Sequence, residues 1–228
     1  MADIREMLAR LNPQTVKYDT GRGGVAELTN QDIAAALAFV PAGLGREVLT
    51  ACWWPDGGDR RRVLDGVLTA VSVEWRRQAE RMAEARTELG IAEACAGWSS
   101  TPATLREVAR ARARYERVRD ECWPKEMGAM LPAIVQACLE EIAKRHQCPA
   151  CEGRGERQRG ELRVRCEKCG GTGIVSVSES HRARRLDRHV ETFRRHWARP
   201  YGWVLSLMIE REQEAAAQLR RALQAEAA

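Results

Sequence analysis

The sequence predicts a mainly α-helical protein: a helical bundle with a helix-turn-helix-like unit interrupted by a small four-cysteine zinc ribbon. Three observations lead there. Ala, Leu, Arg and Glu dominate the chain, and all four are good helix formers. Apolar residues recur at helical spacing through most of its length. Two Cys-x-x-Cys pairs, Cys148/Cys151 and Cys166/Cys169, stand in the second half, each running into a Gly-x-Gly tail. At 228 residues the chain has room for one sizeable domain or two small ones. We divide it into an N-terminal helical region at 1–100 and a second helical region at 101–228, with the ribbon inserted at 147–175.

Taken in order, 3–11 reads as a short helix ending at "NP". The glycine-rich stretch "VKYDTGRGGVAEL" is turn-like; with no strand before it and no Lys-Ser/Thr after it, it is no phosphate loop. "TNQDIAAALAFV" is a helix with Thr29 or Asn30 as its cap. "REVLTACWW" is another, stopped by "PDGGD". In "RRRVLDGVLTAVSVEWRRQAERMAEARTEL", Val63, Leu64, Val67, Leu68, Val71 and Trp75 form one apolar side, and Arg60–Arg62 face solvent. The segment 90–103 is expected to be a loop. A helix from "TPATLREV" follows, with Thr101 as cap, Pro102 at its first position and surface ion pairs along its length. "LPAIVQACLEEIAKRHQ", from Leu131 to Gln147, supplies an apolar-faced helix at 132–146 that runs directly into Cys148. No fixed-period repeat and no low-complexity linker is found.

Each Cys-x-x-Cys turn can place two sulfurs about 2.3 Å from one metal ion, and two such turns complete a tetrahedron. Cys148, Cys151, Cys166 and Cys169 are therefore the expected ligands of one structural Zn2+, whose four sulfurs leave no position for a reacting water. An iron–sulfur cluster or a redox dithiol is the lesser alternative. The glycines at 153, 155, 171 and 173 suit positive φ or close backbone approach. The other four cysteines, Cys52, Cys95, Cys122 and Cys138, read as small buried residues. "MADIREMLARLNPQ" is neither a signal peptide nor a membrane span, which predicts a cytosolic chain with reduced thiols.

The net charge of +5 is unevenly spread, and the seven arginines between His181 and Arg199 face only Asp187 and Glu191. A basic stripe of this kind suits a polyanion, although a solvated helix face is its plain alternative. A single helix is expected here, capped by Ser176 with Glu179 in a capping box or by Ser178, broken at "ARPYG" and followed by a last helix from about Trp203. On it Ala183, Leu186, Val190 and Phe193 share one sector. His181, Arg184 and Arg188 with Arg195 lie opposite, flanked by Arg185. Such a helix docks by one face and offers the other to phosphates and base edges. The candidate contacts to double-stranded DNA are Ser178, Ser180, His181, Arg182, Arg184, Arg185, Arg188, Arg194 and Arg195. Arg184 and Arg188 would reach the major groove, and Arg182, Arg194 and Arg195 the phosphates. With the helix at 132–146 this forms a pair whose turn is replaced by the ribbon, so that the metal holds the two helices at a fixed angle.

"CPACEGRG…CEKCGGTG", the helix directly after it, and the closing helix after "HWARPYGW" together resemble the lambda-type Q antitermination proteins of tailed bacteriophages. A weaker similarity extends to "LTNQDIAAALAFVPAGLGREVLTACWW". The resemblance implies a late-gene regulator in the cytoplasm of a bacterial host. Such a protein binds promoter-proximal DNA, engages the flap region and sigma factor of host RNA polymerase, and suppresses pausing and termination. No membrane and no small-molecule substrate is expected. DnaJ-type chaperones carry similar cysteine units, so a zinc module that binds client proteins is the alternative. This chain has two such units instead of four, and no His-Pro-Asp tripeptide. No Ser/His/Asp set or H-E-x-x-H is present and the expected metal is saturated, so no enzyme is predicted.

Overall fold

The computed structural model describes residues 4–9, 30–54, 58–143, 148, 150–151, 154, 156–159, 162–171, 175 and 177–226. Helices α1 (Ile4–Ala9), α2 (Asn30–Ala38), α3 (Leu44–Trp53), α4 (Arg60–Trp98), α5 (Pro102–Glu121) and α6 (Met127–Ala143) come first. Strands β1 (Glu156–Arg159) and β2 (Leu162–Arg165) follow. Then come α7 (Glu179–Arg185) and α8 (Val190–Thr192), a π-helical turn (Phe193–Trp197) and α9 (Ala198–Glu226). The chain is thus mainly helical with one two-stranded ribbon, as the sequence predicts. The glycine-rich stretch and the Thr29 cap fall outside the described residues, as do Ser176 and the glycines at 153, 155 and 173.

Two compact units emerge, one of 1–67 with 129–228 and one of 68–128. The division falls inside α4 and near the start of α6, and α4 continues through most of the segment where a loop was expected. "GIAEACAGW" is alanine-rich, and Gly90 and Gly97 sit exposed in its helix, where the small propensity cost of glycine is borne by the surrounding turns. The loop shrinks to Ser99–Thr101, and Thr101 caps α5 in a reciprocal box with Thr104.

In the first unit, α9 is the central element, with α1, α2 and α3 packed on it. Ile33 and Leu37 from α2, Leu8 from α1 and Leu49 from α3 meet Leu219 and Leu223 of α9. Each such burial is worth roughly 1.5–3 kcal/mol. Among the described residues one charge lies inside: Glu212, 2% exposed, takes Nε and Nη2 of Arg5 at 2.9 Å each and Nε1 of Trp53 at 3.1 Å. Fully hydrogen-bonded on both oxygens, the carboxylate avoids the penalty of an unpaired buried charge.

The single helix expected between Ser176 and Arg199 is two. α7 ends in a Schellman motif: Arg188 N–H donates to Ala183 O at 2.9 Å and Asp187 N–H to Arg184 O at 3.1 Å, with Asp187 left-handed at φ 51°. His189 then caps the next helix, its Nδ1 accepting from Glu191 N–H. The predicted break at "ARPYG" does not occur; the helix runs through Pro200. Its ring would clash with the carbonyl four residues back in a regular α-helix. The π turn just before it, where Ala198 N–H bonds to Phe193 O, widens the coil there. Phe193, Trp197 and Tyr201 use that segment to reach the core, Phe193 and Tyr201 meeting edge to face at 5.8 Å. α6 likewise starts five residues before the proline expected to open it. Met127 and Leu131 are both buried, which offsets the hydrogen bond lost at Pro132.

The second unit is a helical hairpin. The inward positions of α4 are 71, 75, 78, 82, 85, 89, 92 and 96, and those of α5 are 104, 108, 111, 115 and 118. Steps of four and three alternate throughout, which is the heptad seam of a coiled coil. Ion pairs Arg81–Glu121, Arg114–Glu88 and Arg112–Glu93 fix the helices antiparallel. Gln78, buried in the seam, accepts Trp123 N–H at 2.9 Å and donates to Glu74.

Candidate metal centre and nucleic-acid interface

β1 and β2 pair antiparallel, Glu156 opposite Arg165 and Arg159 opposite Leu162, and so bring the two Cys-x-x-Cys turns together. The four Sγ atoms lie within 4.8 Å of one another. Cys148 and Cys166 are 3.9 Å apart, and Cys151 and Cys169 are 3.7 Å apart. Those separations are too long for disulfides, and all four cysteines are free. They match the edge of a tetrahedron, about 3.8 Å for bonds of 2.3 Å. The set could hold one metal ion. In the second turn Gly171 N–H donates to Cys166 O at 3.1 Å. Gly170 and Gly171 there have φ of 58° and 85°. A Cβ on Gly171 would strike the Arg165 side chain, 2.5 Å from Nε. Val175 and Ala150 cover the cluster.

Of the arginines around α7, the structure separates two groups. Arg182 is half-buried, donating from Nε to Glu141 Oε2 at 3.0 Å and from Nη2 to Oε1 at 2.5 Å. Its guanidinium also lies 5.2 Å from the ring centre of Tyr201, whose hydroxyl donates to Glu141 at 2.9 Å. The hydrogen bond to Glu141 raises the Arg182 pKa further above its ordinary value. Burial, with Cys138 and Glu141 beside it, pushes the Tyr201 phenol up. Arg185 pairs with Glu140, and Arg194 with Glu179 and Glu191. Arg184, Arg188 and Arg195 are exposed and form no ion pair among the described residues. Arg188 rests against Met130 Sδ.

His181 and Ser180 are exposed; Ser178 is spent as the α7 cap, accepting His181 N–H. Beneath them Ala183, Leu186 and Phe193 are buried and Val190 is half-buried, so the apolar sector read from the wheel faces inward, across two helices. Arg182–Glu141 and Arg185–Glu140 also tie α6 to α7 directly. Sequence reasoning missed Glu140, Glu141 and Tyr201. The acidic pair in "LEEIA" beside so basic a helix was the available signal. Of the four remaining cysteines, Cys52 and Cys138 are buried and Cys122 half-buried, but Cys95 is exposed, contrary to expectation.

Among the described residues no helix is long and apolar enough to cross a membrane. No family model, no curated protein and no solved structure matches the chain.

Proposed function

We propose that the chain is a non-enzymatic, zinc-containing DNA-binding protein that acts as a late-gene antiterminator of the lambda-type Q kind. The observation that carries the reading is the trio Arg184, Arg188 and Arg195, exposed and without a carboxylate partner among the described residues. Exposed guanidinium groups with no carboxylate to neutralise them are free to meet a polyanion. Arg157 and Arg163 on the ribbon are likewise exposed, with no carboxylate partner among the described residues. Arg182, Arg185 and Arg194 already hold carboxylates, so we withdraw Arg182 from the phosphate set and give it a positioning role. Arg185 and Arg194, more exposed, can exchange their carboxylates for phosphate.

Zinc fits the centre because four thiolates in a tetrahedron suit its soft, geometry-tolerant coordination. Filled by protein ligands, the ion supplies structure to a ribbon too small to fold alone. The family resemblance adds host RNA polymerase as the second partner.

The test is a fluorescence titration with DNA flanking the protein's own gene at several salt concentrations. Three phosphate contacts give log K a slope of about −2.7 against log salt, at about 0.9 per contact. Arg184→Ala with Arg188→Ala lowers affinity at least tenfold, whereas an unchanged affinity refutes the assignment. Transcription past a terminator by host polymerase, with and without the protein, tests the antitermination step.

A further inference from the structure

The hairpin of α4 and α5 carries a second apolar stripe that its own seam does not cover. Ile91, Cys95 and Trp98 stand at i, i+4 and i+7 of α4, one face of a helix. Ile91 is 59% and Trp98 93% exposed, and Cys95 is exposed too. A groove beside this stripe has Ala92 and Ala111 at its floor and Glu107 and Arg110 on the α5 rim. The small floor residues let another helix approach closely. No residue of α5 is fully buried. The hairpin is therefore a two-helix coil with half its packing unmade, and apolar surface grouped like this marks an association site.

Two charges on the rim point to the occupant. Glu107 and Arg110 are of opposite sign and one turn apart, and neither has a partner among the described residues. A twofold axis crossing α5 between them would set Glu107 of one copy against Arg110 of the other, and the reverse. Level with that point on the antiparallel α4, judged from the Arg112–Glu93 and Arg114–Glu88 pairs, lies Cys95. Ile91 and Trp98 flank it on either side, so the same axis lays Ile91 of each copy on Trp98 of the other. Charge and apolar surface obey one symmetry operation, as an isologous contact requires.

We propose that this groove is a self-association face, and that two copies of the chain pack hairpin to hairpin into a four-helix bundle. The inference is independent of the DNA-binding reading and stands or falls without it.

Sedimentation of the full chain across the micromolar range tests it. The wild type sediments as a dimer. Ile91→Glu sediments as a monomer with unchanged helical circular dichroism, since the side chain is exposed. Arg110→Glu alone puts like charges across the axis and weakens the dimer about tenfold or more. Adding Glu107→Arg to it restores the pair with signs exchanged and recovers the affinity. A short bismaleimide links wild-type dimers, and Cys95→Ser removes the link. A wild type that stays monomeric overturns the proposal, and so does a dimer indifferent to both Ile91→Glu and Trp98→Glu. A charge exchange that recovers nothing removes the twofold arrangement. A monomer that needs Ile91 to bind host RNA polymerase gives the stripe to that partner and overturns self-association.

Discussion

Replacing Glu141 with Ala removes the acceptor of three hydrogen bonds at once, two from Arg182 and one from Tyr201. Fully buried ion pairs lose about 3–5 kcal/mol when one partner is deleted, and exposed ones about 0–1. Here the side chains are 14% exposed for Glu141 and 22% for Arg182, so some water reaches the pair and the upper range needs discounting. The Tyr201 hydroxyl, on a residue 1% exposed, is left without its acceptor, for about 1–3 kcal/mol. The expected loss is about 2–4 kcal/mol. Arg182→Ala strips the same carboxylate of two donors and costs about 2–3 kcal/mol. The double variant loses less than the sum, with a coupling of about 1–2 kcal/mol. Urea unfolding by far-UV circular dichroism measures all three, with Arg184→Ala as a control that stays within about 0.5 kcal/mol. An Arg182→Ala variant as stable as that control, or strict additivity in the cycle, would falsify the positioning role and return Arg182 to the surface set.

Metal removal has a local signature. A chelator forfeits roughly 10–16 kcal/mol of apparent binding free energy, Cys148→Ser a part of it, and either opens the ribbon to protease between 148 and 171. Helix content falls little, and on the proposed reading elemental analysis of the intact protein is expected to give one zinc per chain. Burial, aided by Glu212, pushes the Cys52 thiol up from 9.0 to about 12. The folded state then holds that proton longer than the unfolded chain, so the contribution is complete below about pH 9 and is lost as pH rises towards 12. Melts in an alkaline series check the slope, and removing the thiol with Cys52→Ala makes it shallower, while the raised Cys138 and Tyr201 groups keep part of it. Asp187 occupies a left-handed position at φ 51°, where a Cβ costs about 1–2 kcal/mol. Asp187→Gly raises stability by up to about 1 kcal/mol and Asp187→Val lowers it by more than that; a lower melting temperature for the glycine variant contradicts the Schellman cap.

The ribbon was legible in the sequence because metal-ligand spacing is a local constraint with few alternatives. So was the α5 start, where Thr101 and Pro102 act within one turn. The α7–α8 break was not, because the left-handed residue of its cap is Asp where Gly would have announced it. Pro200 misled for the opposite reason: a strong local breaker was overruled by the π turn and by the burial of Phe193, Trp197 and Tyr201. The heptad seam of the hairpin hid in its composition. Ala85, Ala92, Thr104, Ala111 and Gln78 hold inward positions, and so little contrast in hydrophobicity leaves a period of seven almost silent. The arginines between His181 and Arg199 looked alike as a charge run. What sorted them was where Glu140, Glu141 and Glu179 arrive, two of them from a helix some forty residues earlier.

The bidentate clasp between Arg182 and Glu141 closes the neck of everything from 144 to 178. A detour whose base is already stitched can lengthen, shorten or vanish at small entropic cost, since closure depends only weakly on loop length. The cysteine ribbon is in that sense a detachable cartridge: exchanging it for a few flexible residues leaves the helices around Tyr201 seated.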